Sequence, residues 1–212
     1  FEAAEHPYTE IDGPTAIQSQ LEKCSIAEAP LPPFVEDVVH TWFWLMVSGP
    51  DGIYLTQMSA ILAQIGKKLN LYPNPTDEYK AIQIVASILE YHAEGRASFH
   101  PKYFTDTYFI QVDEADIASA EFANGRMLEW LEKFEKVLRN SDSDFVVSSK
   151  LTYCDIALYH CLCATKAQFP TAWENATFPY LKAFIPRIAA VPSLAAYLAS
   201  DRVRTWEGNS MI

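Results

Sequence analysis

The sequence lacks any apolar run long enough to cross a membrane as a helix. Its longest apolar-rich stretches are residues 42–47 and 156–162, far shorter than the roughly 20 residues that such a helix needs. The opening residues, FEAAE, also lack the basic and apolar regions of a secretory signal. These absences predict a soluble, cytoplasmic protein with no membrane partner.

Basic residues are scarce as well. Sixteen lysines and arginines stand against 27 acidic residues, for a net charge of −11. Phosphate backbones and anionic lipids bind to clusters of Lys and Arg, which this composition disfavours. We therefore expect no nucleic-acid partner.

Cysteines are few, and their positions are informative. They are Cys24, Cys154, Cys161 and Cys163, and the last three share one predicted helix. A disulfide framework would need paired loops, and Cys161 and Cys163 point about 200° apart on a helix, which does not suit a zinc site. We therefore expect reduced, buried and inert thiols, and we expect no metal site.

The composition is otherwise that of a protein with a packed core. Half of the 212 residues are apolar, 13% are aromatic and 20% are charged, which is a globular balance. This length allows one large domain or two small ones, so the order of predicted elements has to decide between them.

The first part of the chain mixes short strands and helices. Residues 8–11 have the pattern of a short strand and residues 14–23 that of a helix. Residues 42–47 and 53–56 flank the turn-rich sequence SGPDG, which predicts a β-hairpin. Residues 58–69 then carry the apolar spacing of an amphipathic helix.

Two prolines in residues 71–77 (LYPNPTD) interrupt every regular pattern. We therefore predict a domain boundary that separates residues 1–72 from residues 76–212. Helical spacing dominates the second part, with Thr76 as a candidate cap of its first helix. Further helices are predicted over residues 113–139, 152–166, 178–190 and 193–199.

The clearest local motif is residues 151–158 (LTYCDIAL). Thr152 and Asp155 have the spacing of a capping box, which satisfies two backbone amides at a helix start. We interpret both residues as structural and not catalytic. The motif resembles the capping box of the core helix of the glutathione transferase helical domain.

Residues 178–184 (FPYLKAF) and 187–200 (RIAAVPSLAAYLAS) are also similar to the ending of that family. The chain thus resembles a cytosolic glutathione S-transferase with a truncated or degenerate N-terminal domain. The resemblance implies an α/β thioredoxin-like N-terminal domain, incomplete because its first strand is missing, followed by an all-α C-terminal domain. It also implies a homodimer in which the helix at residues 58–69 lies near the long helices of the partner.

Residues 54–62 (YLTQMSAIL) are similar to the family's last strand and its next helix. The start of that helix holds the γ-glutamyl end of glutathione, and free amides there suit a carboxylate. The resemblance therefore implies a glutathione site at Gln57, Met58 and Ser59. Met58 stands where the family has a serine, and Ser59 lies one position later, a rotation of about 100° on a helix.

Two further departures concern the catalytic machinery. Residues 1–11 look like the end of the family's first helix and its second strand, so the strand with the catalytic Tyr, Ser or Cys has no counterpart and the catalytic residue is unknown. The family also has a cis-proline before the strand at residues 44–47. Here the sequence is Trp42-Phe43-Trp44, and the nearest upstream proline is Pro33.

The loop between the first two long helices is where the family builds its electrophile pocket. The resemblance implies a pocket formed by Phe99, His100, Tyr103 and Tyr108, although aromatic residues in such a place are also ordinary packing groups. His100 has no carboxylate partner at a readable spacing, so it is a weak acid/base candidate.

The sequence supports two hypotheses about function. In the first, the protein conjugates or reduces a small-molecule electrophile with glutathione as co-substrate. In the second, the glutathione site is degenerate and the protein binds ligands or assembles with other subunits. Met58 and the missing strand favour the second hypothesis, whereas the resemblance favours the first.

Overall fold

The computed structural model describes residues 47–48, 54–55, 57–203 and 206. Strands β1 (Val47–Ser48) and β2 (Tyr54–Leu55) pair antiparallel, with Val47 opposite Leu55 and Ser48 opposite Tyr54. The predicted hairpin is therefore confirmed at these positions. The expectations for residues 1–46, including the strand at residues 8–11, the helix at residues 14–23 and the missing first strand, lie outside the described residues.

Helices make up most of the described chain after β2. They are α1 (Met58–Lys68), α2 (Glu78–Phe99), α3 (Val112–Asn124), α4 (Arg126–Arg139), α5 (Tyr153–Gln168), α6 (Pro170–Asn175), α7 (Pro179–Ala189) and α8 (Pro192–Leu198). Two 3-10 turns, Pro75–Asp77 and Tyr108–Ile110, precede α2 and α3. The all-α character predicted for the second part of the chain is confirmed.

Two helix predictions need correction, and one helix was missed. Residues 113–139 form two helices because Gly125, at φ −128° and ψ −96°, leaves the helical conformation between them. Thr76 does not cap α2, since it lies inside the preceding 3-10 turn and Asp77 is the capping residue. Helix α6, which begins at Pro170, was not predicted.

Helix α5 lies at the centre of the core. It packs against α2, α6 and α7, and Leu158, Cys161 and Leu162 on it are completely buried. The Tyr91 hydroxyl of α2 lies 2.8 Å from Thr165 Oγ1, which donates to the Cys161 carbonyl at 2.8 Å. The buried Tyr91 is thereby satisfied within an apolar environment.

The three described cysteines are free thiols on α5. Burial raises the pKa of the Cys154 thiol to about 12 and also raises the pKa of Cys161 and of Cys163. A thiol with a raised pKa is a poor nucleophile at neutral pH. Cys154 and Cys161 are thus buried free thiols as expected, whereas Cys163 is only half-buried. The low reactivity of these thiols stays a prediction, and Cys24 lies outside the described residues.

The start of α5 contains the predicted capping box. Asp155 Oδ2 accepts from the Thr152 amide at 2.7 Å and from the Thr152 hydroxyl at 2.6 Å. Asp155 Oδ1 accepts from the Val146 amide at 2.7 Å. Burial raises the pKa of Asp155, and the hydrogen bonds from Thr152 and Val146 act in the opposite direction. The carboxyl group therefore joins the helix start to the loop before it.

Helix α1 and the segment that follows it, residues 69–72, pack directly against the start of α5. The Tyr153 amide donates to the Leu71 carbonyl at 2.8 Å, and the Tyr153 and Tyr72 rings lie 5.6 Å apart. A Cβ atom on Gly66 would lie 2.8 Å from Tyr153 Cδ1, so only glycine permits this close approach. The predicted boundary near residues 72–76 is thus crossed by close packing.

Candidate functional site

The start of α1 presents an exposed and positively polarised helix end. Gln57 is the capping residue, and its carbonyl accepts from the Ile61 amide at 3.0 Å. The amides of the first helical residues, Met58, Ser59 and Ala60, have no partner inside the helix. Residues 57–60 are exposed, and the first turn has no acidic side chain. This end of the helix therefore suits an incoming carboxylate.

The backbone of Gln57 is unusual. Its φ is 70° and its ψ is 118°, a conformation that residues with a Cβ atom rarely adopt. Such strain costs about 1 to 3 kcal/mol and persists where the surrounding structure imposes it, often at ligand sites. The residue with the best match to the family motif is therefore also a strained residue.

The second group of predicted residues lies at the carboxyl end of α2 and in the loop after it. Phe99 is buried, and its ring lies 5.7 Å from Phe169 and 6.2 Å from Tyr108. Tyr108 is half-buried and Tyr103 is exposed. An aromatic surface is thus present in this region, although Phe99 itself belongs to the hydrophobic core.

His100 is a buried part of the loop. Its Nδ1 lies 3.0 Å from the Asp106 carbonyl oxygen, which can only accept, so Nδ1 carries a proton. This hydrogen bond closes the loop between the two residues. It gives His100 a structural role, in line with the weak case for acid/base catalysis.

Sequence reasoning missed the residue that organises this loop. Gln111 is almost completely buried, and its side chain forms four hydrogen bonds to the loop backbone. Its partners lie four to nine residues away on irregular backbone, so no periodic pattern marks them. The only available signal was a polar residue directly before an amphipathic helix.

Within the described residues there is no cluster of three or more His, Cys, Asp or Glu side chains that could hold a metal ion. In the same part of the chain, no single helix has the length and apolar character needed to cross a bilayer. The bent pair α7 and α8, 85° apart, meets that requirement in length and composition only.

The helical arrangement, with a capping box at its central helix, is similar to the C-terminal domain of glutathione S-transferases. Residues 99–201 match the family model described as the glutathione S-transferase C-terminal domain. The resemblance predicted from the sequence is therefore confirmed.

Named relatives agree with this classification. The chain is 27% identical over 152 residues to a glutathione S-transferase of Plasmodium yoelii yoelii, covering 71% of this chain and 65% of the relative. It is 29% identical over 148 residues to glutathione S-transferase alpha-3 of Rattus norvegicus, covering 70% and 62%. The matched region spans less than two thirds of either relative.

Solved structures show the same fold. The glutathione S-transferase of Ascaris lumbricoides matches with a TM-score of 0.67 and 18% identity, covering 97% of this chain and 89% of that one. Monomeric Na-GST-3 of the hookworm Necator americanus matches with a TM-score of 0.59 and 22% identity, covering 74% and 73%.

Proposed function

We propose that this protein is a glutathione transferase-like protein that binds glutathione at the start of α1 and presents its thiol to an apolar electrophile. The observation that carries the proposal is the strained backbone of Gln57 at an exposed helix start. Strained residues of this kind cluster at active sites and ligand-binding sites. The names of the relatives support the same reaction class.

In this proposal the α1 amides and Gln57 hold the γ-glutamyl carboxylate. The pocket for the electrophile is formed or supported by four residues of the loop region, Phe99, His100, Tyr103 and Tyr108. The thiol loses its proton to solvent or a base, and the thiolate forms a C–S bond as the leaving group departs with its electron pair. The group that lowers the thiol pKa is the catalytic residue that the sequence leaves unknown.

Met58 limits how tightly this site binds glutathione. Its exposed thioether stands where the family has a hydroxyl, and a charge-assisted hydrogen bond contributes about 1.5 to 3 kcal/mol. Losing that bond weakens binding roughly tenfold to a hundredfold. We therefore expect a dissociation constant in the millimolar range or above. The same observation favours the second candidate function, a ligand-binding or assembly module with a degenerate glutathione site.

Calorimetric titration with glutathione tests this placement of the site. Met58→Ser should bind about tenfold more tightly than the unmodified chain, since it restores a hydroxyl at the helix start. Met58→Leu is the matched control and should leave the affinity unchanged. Micromolar binding by the unmodified chain would show that Met58 does not occupy the carboxylate site.

Turnover with an aryl chloride separates the two candidate functions. Glutathione binding with measurable conjugation supports the transferase. Failure of both the unmodified chain and Met58→Ser to bind glutathione supports the degenerate module.

We also propose that the protein forms a homodimer through the side of α1 and α2. Tyr79 and Ile82 lie on α2 at a spacing that places them on one helix face, and they are 82% and 47% exposed. Neighbouring exposed apolar side chains are typical of an interface. The Necator americanus structure, by contrast, is described as monomeric.

A further inference from the structure

Gln111 is the capping residue of α3, yet its side chain faces the preceding loop and not its own helix. Oε1 accepts from the backbone amides of Lys102 and Tyr103, each at 3.0 Å. Nε2 donates to the carbonyl of Tyr103 at 2.8 Å and to that of Thr107 at 3.3 Å. A primary amide has two lone pairs and two N–H groups, so this side chain uses its full bonding capacity on one loop.

Other contacts hold the same loop, residues 100–107, at its edges. His100 Nδ1 bonds to the Asp106 carbonyl. Arg96 donates to the Phe104 carbonyl at 3.3 Å, and its guanidinium lies 5.0 Å from the centre of the Phe104 ring. Lys102 pairs with Glu114 at 2.9 Å, but an exposed pair of this kind contributes little. Gln111, at 1% exposure, is the buried centre of these contacts.

The loop is a place where mobility would ordinarily be expected. Tyr103 and Phe104 are exposed aromatic side chains on irregular backbone, and exposed loops usually open at low free-energy cost. A loop whose backbone is mobile loses conformational entropy when it binds a ligand, whereas a loop whose backbone is already fixed has lost that entropy on folding. Fixing the backbone at Tyr103 therefore favours the binding of a flat apolar group.

We propose that Gln111 is a positioning residue for the electrophile half of the site, which holds the Tyr103 backbone so that the aromatic ring is available in one place. This inference rests on the proposed function, because it concerns the substrate that would accept the glutathione sulfur. Gln111 is not among the residues that the family resemblance implies. Its replacement should change the affinity for the electrophile without changing the affinity for glutathione.

The hydrogen-bond donors and acceptors of the Gln111 side chain can be removed separately, which allows a direct test of its role. Gln111→Glu keeps the shape and the acceptors but removes both donors, so a carboxylate oxygen would face the carbonyls of Tyr103 and Thr107. Gln111→Met keeps the length and removes all four hydrogen bonds. Gln83→Glu, on the exposed side of α2, introduces the same charge change away from the loop and is the matched control.

Hydrogen exchange measured by mass spectrometry gives the first readout. In Gln111→Glu and Gln111→Met, the amides of residues 102–107 should exchange at least about tenfold faster, because each variant loses two or more hydrogen bonds and the loss of one shifts an opening equilibrium by about tenfold. Peptides from α5 should keep their protection, which shows that the fold is intact. The control should match the unmodified chain throughout.

Binding gives the second readout without turnover. Affinity for the conjugate S-dinitrophenylglutathione should fall several-fold in both Gln111 variants, whereas affinity for glutathione should stay unchanged. Tyr103→Ala should lose conjugate affinity to a similar extent while the loop amides keep their protection, because the Gln111 hydrogen bonds are all to backbone.

The outcomes distinguish this proposal from the proposed function. Unchanged exchange in the loop overturns the positioning role. Faster exchange with unchanged conjugate affinity, or an equal loss for glutathione and conjugate, overturns the link to the electrophile. An unmodified chain that binds neither ligand contradicts the transferase function and with it the electrophile role, whatever the exchange measurement shows about the loop.

Discussion

At the scale of single residues, Gln57 allows a test of stored strain. Glycine adopts positive φ at little steric cost, so Gln57→Gly should raise the free energy of unfolding by about 1 kcal/mol while weakening glutathione binding. Urea denaturation and calorimetry measure the two effects. Gln57→Ala keeps the Cβ atom and the strain, so it should weaken binding without the gain in stability. A lower free energy of unfolding for Gln57→Gly than for the unmodified chain would contradict the strain at this position.

Asp155 is the second residue whose replacement has a defined effect. Its buried carboxyl group accepts from Thr152 twice and from the Val146 amide. Asp155→Ala should therefore lower the free energy of unfolding by about 3 kcal/mol, more than the 1 to 2 kcal/mol expected of the capping box alone. Asp113→Ala, at the exposed start of α3, should cost only about 0.5 kcal/mol. Equal denaturation midpoints for the two variants would count against this account.

These residues show which parts of a site can be predicted. Thr152 and Asp155 were predicted because their partners lie three residues apart on a helix, where spacing determines proximity. The strain at Gln57 and the loop contacts of Gln111 were not predictable, since they depend on irregular backbone. Met58 and Ser59 lie at the predicted helix start, but their contacts with a ligand stay predictions.

At the scale of secondary-structure elements, the start of α7 depends on a carboxylate from another helix. Buried Glu135 of α4 accepts from the Tyr180 amide at 3.0 Å and from the Leu181 amide at 2.8 Å. The two residues come directly after Pro179, the first residue of α7. Glu135 thus satisfies two amides at the helix start that have no partner within the helix.

Glu135→Ala should lower the free energy of unfolding by about 2 to 3 kcal/mol. Glu132→Ala, one turn earlier on α4, removes an exposed ion pair with Lys136 and should change it by no more than about 0.5 kcal/mol. Chemical denaturation of both variants gives the comparison. Similar values would mean that the α7 start is satisfied without Glu135.

The positions of the helices were predicted well. The breaks between helices and the contacts that join them were predicted less well. The apolar periodicity predicted α1, α5, α7 and α8 to within about two residues, since each buries one face. The break at Gly125 was missed because a helical pattern continues on both sides of it. The Glu135 contact joins residues 45 positions apart, a distance at which spacing in a single sequence gives no information.

At the scale of the whole molecule, the proposed dimer is tested by a charge on α2. Ile82→Lys should place a desolvated charge in the interface and shift the protein toward monomer in sedimentation equilibrium at micromolar concentration. Ile117→Lys on α3 is a matched control, because Ile117 is 65% exposed and lies outside the proposed interface. A monomeric mass for the unmodified chain would contradict the dimer itself.

The attachment of α1 to α5 affects how the protein can be divided into fragments. A fragment of residues 76–212, cut at the predicted boundary, would lose the Leu71 carbonyl that pairs with the Tyr153 amide and the Gly66 backbone that lies against the Tyr153 ring. It would expose an aromatic surface at the start of its central helix and be prone to aggregate. A fragment that begins at Met58 keeps both contacts, so it is the better autonomous folding unit for recombinant work.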